Sequence, residues 1–156
     1  MKVGIGQDSH KFDTKKSQKK CKIAGVIFDN VMAFDADSDG DVAYHAICNA
    51  ITSITNVHIL GDIAIKMCRN EKITDSREYL KKATETLGEN KIVHVALSIE
   101  AYRPRLQTSI DQMRTNIAKE LSIEVGQVGI TCTSGDGLTE FGKGLGCQCF
   151  CILTVA

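Results

Sequence analysis

Ser38-Asp39-Gly40-Asp41-Val42-Ala43-Tyr44-His45-Ala46-Ile47-Cys48-Asn49-Ala50-Ile51-Thr52-Ser53-Ile54 is the stretch on which the fold turns. Val42, Ala43, Ala46, Ile47, Ala50, Ile51 and Ile54 follow one broad helical stripe, so the segment reads as a helix laid on a core. Ser38, with Asp41 three residues later, resembles a capping box at its start. His45 falls opposite the stripe, one turn after Asp41.

Upstream the period changes to two. Lys2 to Ser9 alternates as a strand does, with Val3 and Ile5 on one face. Lys15 to Lys20 carries lysines and no apolar residue and reads as a solvated hairpin tip, with Cys21 to Phe28 as the returning strand. Downstream, a second helix opens at Thr74-Asp75-Ser76-Arg77-Glu78 and runs towards Gly88. Val93, Val95, Leu97 and Ile99 alternate as a further strand. Ile110, Met113, Ile117 and Leu121 mark a third helix, with Thr108 and Asp111 at its entry. Val128, Ile130 and Cys132 form another strand, a glycine-rich loop follows from Gly135 to Gly146, and Leu145 to Val155 is the last strand. Interspersed strands and helices imply an α+β or mixed α/β domain, with helices covering one face of a mixed sheet.

The 156 residues suit one domain with its own core. Nineteen Lys and Arg balance nineteen Asp and Glu, which leaves no global field to collect nucleic acid or an anionic membrane. The apolar run Cys149 to Leu153 is too short to span a bilayer, and Met1-Lys2-Val3-Gly4-Ile5 is expected to carry no secretory signal. Seven cysteines, an odd number, point to reduced thiols and a cytoplasmic setting. Cys147, Cys149 and Cys151 alternate along a strand, about 6.6 Å apart, too spread to share one ion easily. They read as small buried thiols.

Three motifs match only in part. Asp35-x-Asp37-x-Asp39-Gly40 copies the first half of an EF-hand loop, but position twelve is Ala46 instead of the bidentate Glu. Gly137-x-x-x-x-Gly142-Lys143 lacks the Ser or Thr and the following helix of a P-loop. Gly4-x-Gly6-x-x-Ser9 lacks the last glycine of a dinucleotide fingerprint.

Asp8 and His10 are two apart, so a strand turns both to one face. With His45 they make up the donor set of a catalytic zinc site, two His and one carboxylate with a position left open. Spacing alone favours ordinary strand-end residues and a solvated helix histidine over a metal site. The wider pattern discriminates. Gly6-x-Asp8-x-His10, Ser38-Asp39-Gly40-Asp41-Val42-Ala43-x-His45-Ala46, Leu60-Gly61-Asp62-Ile63, Asp75-Ser76-Arg77, Arg103-Pro104-Arg105, Gln112-Met113-Arg114 and the Thr133–Gly146 loop resemble the 2-C-methyl-D-erythritol 2,4-cyclodiphosphate synthase family of non-mevalonate isoprenoid biosynthesis.

The resemblance covers essentially residues 1–156 and implies one synthase-like domain, a homotrimer with active sites between subunits, and a lyase reaction. A cytidine-diphosphate-linked methylerythritol 2-phosphate would close to the cyclic diphosphate and release CMP. Asp8, His10 and His45 would hold Zn²⁺ or a similar ion. Asp62, Ile63 and Ala64 would meet the ribose, with Ser9, Asp37 and Ser38 towards the phosphates. Ala101, Arg103, Pro104, Arg105 and Leu106, with Thr133, Ser134, Gly135 and Asp136, would line the cytosine and diphosphate pocket of the adjoining subunit. Asp136 stands where the family places a Glu for a second ion, Mg²⁺ or Mn²⁺, bridging the diphosphate. The helix start near Ser38 would add N–H donors to a phosphate.

The chain departs from the family at several of these places. Asp37 replaces a His, and Lys66 to Ile73 replaces a Phe-Pro-Asp-Thr-Asp-Pro segment. Ser134 replaces the Thr that stabilises the transition state. Lys143 replaces an Arg, and Phe141 lies one position from the expected aromatic, where Glu140 stands. Asp37 and Ser134 are the expected catalytic residues. The alternatives are a non-catalytic protein binding cytidine nucleotides or isoprenoid diphosphates, or another metal-dependent phosphohydrolase.

Overall fold

The computed structural model describes residues 1–15 and 17–156. The main sheet has four strands in the order β1 (Lys2–Lys11), β6 (Gly146–Val155), β4 (Ile92–Glu100), β5 (Val128–Thr133). β6 runs antiparallel to both of its neighbours and β4 pairs with β5 in parallel, so the sheet is mixed. Helices α1 (Val42–Thr55), α2 (Ala64–Asn70), α3 (Ser76–Glu85) and α4 (Ile110–Leu121) complete the α+β fold, with β2 (Cys21–Ile23) and β3 (Val26–Phe28) as a separate hairpin.

The glycines of β1 decide how the layers meet. Gly4 and Gly6 face α1 so closely that an added Cβ would lie 2.2 Å from the carbonyl oxygens of Ala50 and Ala46, respectively. Alternation then sends Val3 and Ile5 to the opposite face, 65% and 64% exposed. The apolar alternation visible in β1 therefore marks the outer face of the sheet, not the core. Beside it lie Ile152 and Phe150 of β6, whose register pairs Ile5 with Ile152 and Gln7 with Phe150. The inner face of β6 carries Cys147, Cys149 and Cys151, all fully buried free thiols, as the alternation implied.

Several local expectations need correction. Cys21–Phe28 is not one strand returning along β1. It folds on itself through Ala24 and Gly25, both at positive φ, while β1 takes β6 as its partner. The lysine run is therefore no hairpin tip, and its Lys16 lies outside the described residues. Val93 is exposed at a register shift between Ile92 and His94, which breaks the alternation inferred for β4. Helix α2, preceded by a kinked turn at Ile59–Ile63, occupies Lys66 to Asn70, where the residue pattern carries no periodic signal.

Helix α1 is capped by Asp41, whose carboxylate accepts from the Tyr44 amide at 3.2 Å, and not by a Ser38 capping box. The same buried carboxylate accepts from Ala24 N (2.8 Å) and Gly25 N (2.7 Å), clasping the β2–β3 turn to the helix start. Asn56 in the left-handed region ends α1, its N–H bonded to Thr52 O at 2.8 Å. Val42 to Cys48 are buried without a break, because α1 lies between the sheet and other elements and is not an amphipathic surface helix.

Gly6→Ala is expected to lower stability by about 3 kcal/mol, the upper end for overpacking, since the clash is with backbone. Gly126→Ala, at an open position, should stay within about 0.5 kcal/mol of wild type. Urea unfolding of both variants checks this.

Candidate active site

Close approach of α1 to β1 brings His45 to the end of the strand that carries Asp8 and His10. Asp8 Oδ2 lies 3.0 Å from His10 Nε2 and 3.0 Å from His45 Nδ1, and the two imidazole nitrogens are 3.2 Å apart. Tetrahedral zinc with bonds of about 2.0–2.1 Å separates its ligand atoms by about 3.3 Å. The three donors already form such a triangle, and one carboxylate with two imidazoles is the right chemistry for a borderline ion. No other group of three His, Cys, Asp or Glu donors is as close among the described residues.

Burial would push the Asp8 carboxyl up, but hydrogen bonds from His10 and His45 outweigh it and hold it well below its ordinary value. His45 is 7% exposed, its ring against Tyr79 on one side and His10 on the other. Its second nitrogen, Nε2, lies 2.9 Å from Ser76 Oγ.

A cleft of about 390 Å³ opens over the triangle, lined by Asp8, His10, Asp37, Ser38, His45, Asn49 and Ala64, with Leu60, Ile65, Cys68 and Tyr79 as its apolar wall. A second cleft of about 630 Å³ lies at the C-terminal ends of the parallel pair β4–β5. Ala101, Arg103, Pro104, Arg105, Leu106, Thr133 and Ser134 line it, together with Tyr102 and Cys132. The two clefts share no lining residue.

Not every inferred residue reaches a cleft wall. Ser9 lies on the outer face of β1, turned away from Asp8 and His10 by strand alternation. Asp62 and Ile63 are exposed on the kinked turn between Gly61 and Ala64, which do line the first cleft. Gly135 and Asp136 follow Ser134 in the loop, where Ser134 Oγ donates to Asp136 Oδ1 at 3.0 Å. The Phe141 carbonyl accepts from Tyr102 N, and Lys143 is paired with Glu140 at 2.8 Å. The start of α1 offers no open phosphate seat near Ser38, because the Asp41 carboxylate fills it and Ser38 Oγ accepts from Gly40 N.

The crowding of four aspartates resolves by divergence. Asp35 pairs with Lys11, Asp37 with Arg69 at 3.6 Å and Asp39 with Lys22 at 2.9 Å, while Asp41 turns inward. No EF-hand shell forms among them. Sequence reading missed Arg69, Cys68, Tyr79 and the contact of Ser76 with His45. Asp75-Ser76-Arg77 was visible as a motif, but nothing in its spacing linked Ser76 to a histidine thirty-one positions earlier.

The model of the YgbB family matches residues 1–156. The chain belongs to the YgbB family. Among relatives, the 2-C-methyl-D-erythritol 2,4-cyclodiphosphate synthases of Chlamydia felis and Chlamydia caviae are each 52% identical. They align over 155 and 156 residues, 99% of this chain and 88% and 89% of theirs. The fold is similar to that of the bifunctional IspDF of Campylobacter jejuni, with a TM-score of 0.83 and 26% identity over 98% of this chain and 41% of that one. It is also similar to IspF of Plasmodium falciparum in its CDP complex, with a TM-score of 0.81 and 23% identity over 98% of this chain and 94% of that one.

Two outcomes follow from this geometry. His45→Ala should abolish stoichiometric zinc binding and leave the far-ultraviolet circular dichroism spectrum intact, as equilibrium dialysis with metal analysis would register. A carboxyl depressed by folding adds stability above its unfolded value, near 3.8, and loses it as pH falls through the folded value. Metal-free wild type should therefore lose stability relative to Asp8→Asn only below about pH 4, measured by urea unfolding in chelator.

Proposed function

We propose that this chain is a 2-C-methyl-D-erythritol 2,4-cyclodiphosphate synthase, a phosphorus–oxygen lyase. It would act on 4-diphosphocytidyl-2-C-methyl-D-erythritol 2-phosphate. The observation that carries this reading is the Asp8/His10/His45 triangle at the floor of a cleft, in a chain half identical to synthases over nearly its whole length. In the reaction, an oxygen of the 2-phosphate attacks the β-phosphorus. The bond from that phosphorus to the bridging oxygen breaks, and CMP leaves with the bond's electron pair. No proton need be moved by the protein, so the side chains act by positioning and by balancing charge.

Asp8, His10 and His45 would hold Zn²⁺, which supplies positive charge towards phosphate oxygens; with one formal anion among its ligands the site stays net positive. Asp136 offers one carboxylate, the donor count Mg²⁺ or Mn²⁺ often takes when phosphates and waters complete its shell. Asp37 would face the phosphates as a pair with Arg69, which offsets the repulsion a lone carboxylate would exert. Leu60, Ile65 and Tyr79 give the methylerythritol carbon skeleton an apolar wall. Asp62, Ile63 and Ala64 would meet the ribose. In the second cleft, Arg103 and Arg105 bring cationic side chains towards the diphosphate. Ala101, Pro104, Leu106, Thr133 and Gly135 would enclose cytosine, and Ser134 would present its hydroxyl to the transferring phosphoryl group. Ser38, Phe141 and Lys143 would complete the substrate contacts, while Ser9, on the outer face of β1, would not.

The proposed unit is a homotrimer built from one domain over residues 1–156, with the nucleotide cleft of one subunit beside the metal cleft of the next. Two features support it. The clefts are separate within one chain, and the outer sheet face presents Val3, Ile5, Phe150 and Ile152 to solvent, a contiguous apolar patch that a second copy would cover. A cytoplasmic setting is consistent with seven free thiols and with no described helix long and apolar enough to cross a membrane.

Purified protein given this substrate with zinc and magnesium should release CMP and the cyclic diphosphate in equal amounts, followed by phosphorus NMR. Inorganic phosphate in their place would identify a phosphohydrolase, and saturable nucleotide binding without product would identify a binding protein. Sedimentation equilibrium should return three times the protomer mass.

A further inference from the structure

Behind His45 lies a chain of polar groups that touches neither cleft's substrate contacts as proposed above. His45 Nε2 meets Ser76 Oγ at 2.9 Å, and the Ser76 hydroxyl donates to Asp39 Oδ1. Asp39 is itself saturated. Its Oδ1 also accepts from Asp41 N at 3.2 Å, while Oδ2 accepts from Ser76 N at 3.2 Å and from Lys22 Nζ at 2.9 Å. Ser76 is fully buried, and the Lys22 and Asp39 side chains are only 24% and 15% exposed. No buried side-chain nitrogen or oxygen lacks a partner among the described residues, so the arrangement closes as an accounting.

Donor counting then determines the tautomer. A serine hydroxyl has one proton, and here the Asp39 carboxylate takes it. Towards His45, Ser76 Oγ has only lone pairs left, so the proton of the bond must come from the imidazole. His45 therefore carries hydrogen on Nε2, which leaves Nδ1, towards Asp8 Oδ2 and His10 Nε2, as the nitrogen that a cation would take. We propose that Ser76, Asp39 and Lys22 are positioning residues that hold the His45 ring with its proton on Nε2 and Nδ1 aimed into the triangle, and thereby set the affinity of Asp8, His10 and His45 for a divalent cation.

The four residues come from four parts of the fold. His45 is on α1, Ser76 opens α3, Asp39 lies in the connection before α1, and Lys22 is on β2. Asp39 N also donates to Thr74 O at 2.8 Å, tying the connection to the approach of α3. Lys22 supplies the positive charge that keeps a buried carboxylate beside a metal centre affordable. Removing a partner that orients a metal-bound histidine typically weakens metal binding about 10–100-fold.

The inference rests on the metal reading proposed above, and the test separates the two. Zinc affinity is measured by competition with a chromogenic chelator for wild type, Ser76→Ala, Ser76→Thr and Lys22→Met, with circular dichroism of each metal-free form. Ser76→Ala should bind zinc about 10–100-fold more weakly with its spectrum retained, and Ser76→Thr, which keeps the hydroxyl, should recover most of the loss. Lys22→Met should lose less than Ser76→Ala. Wild-type affinity in a folded Ser76→Ala overturns the inference and leaves the metal reading intact. No zinc binding by wild type sinks the metal reading itself. Independently of any substitution, nitrogen-15 NMR of wild type should find a proton on His45 Nε2, and a bare Nε2 would overturn the proposal even if Ser76→Ala failed to fold.

Discussion

Two glycines on one strand let a helix come close enough for a histidine to meet an aspartate and a second histidine. Gly4 and Gly6 leave no room for even a methyl group between β1 and the backbone of α1. With larger residues there, α1 would have to stand further off the sheet, and His45 would withdraw from Asp8 and His10. The donor triangle tolerates little of that, because its edges of 3.0–3.2 Å already match what one small cation requires. Packing density and site chemistry are here the same constraint.

The same approach explains why the outer face of the sheet is apolar. With glycines inward on β1, the alternating Val3 and Ile5 have only the outer side to occupy, and Phe150 and Ile152 of β6 join them. A sheet covered by helices on one side thus keeps a second hydrophobic face, the feature that favours association of several copies in the proposed trimer. The division of the site into two clefts fits that arrangement. The donor triangle sits where α1 crosses β1, and the proposed nucleotide cleft sits at the ends of β4 and β5.

Charge is handled locally rather than by a global field. The chain has no net formal charge, yet its loop from Asp35 to Asp41 is dense in carboxylates. Each carboxylate has a different partner: Lys11, Arg69, Lys22 with Ser76, and the amides at the start of α1. What looked like a failed calcium loop is a set of four separate anchors, one of which braces the histidine of the metal triangle. Asp37 finds its partner in Arg69 on α2.

Much was legible from residue order alone. The helical stripe of α1, the alternation of β6 with its buried thiols and the α+β class follow from periodicity and side-chain chemistry, whereas the three metal-site candidates rest on the family resemblance that a block of motifs carries. These are properties of neighbours along the chain. Tertiary structure alone decided which face of β1 is inner, since alternation distinguishes two faces without saying which meets a helix. It alone paired β1 with β6, turned Cys21–Phe28 back on itself, bulged β4 at Val93 and placed Ser76 behind His45. Those outcomes depend on contacts between residues tens of positions apart, and their energies come from packing and hydrogen-bond closure that no local spacing encodes.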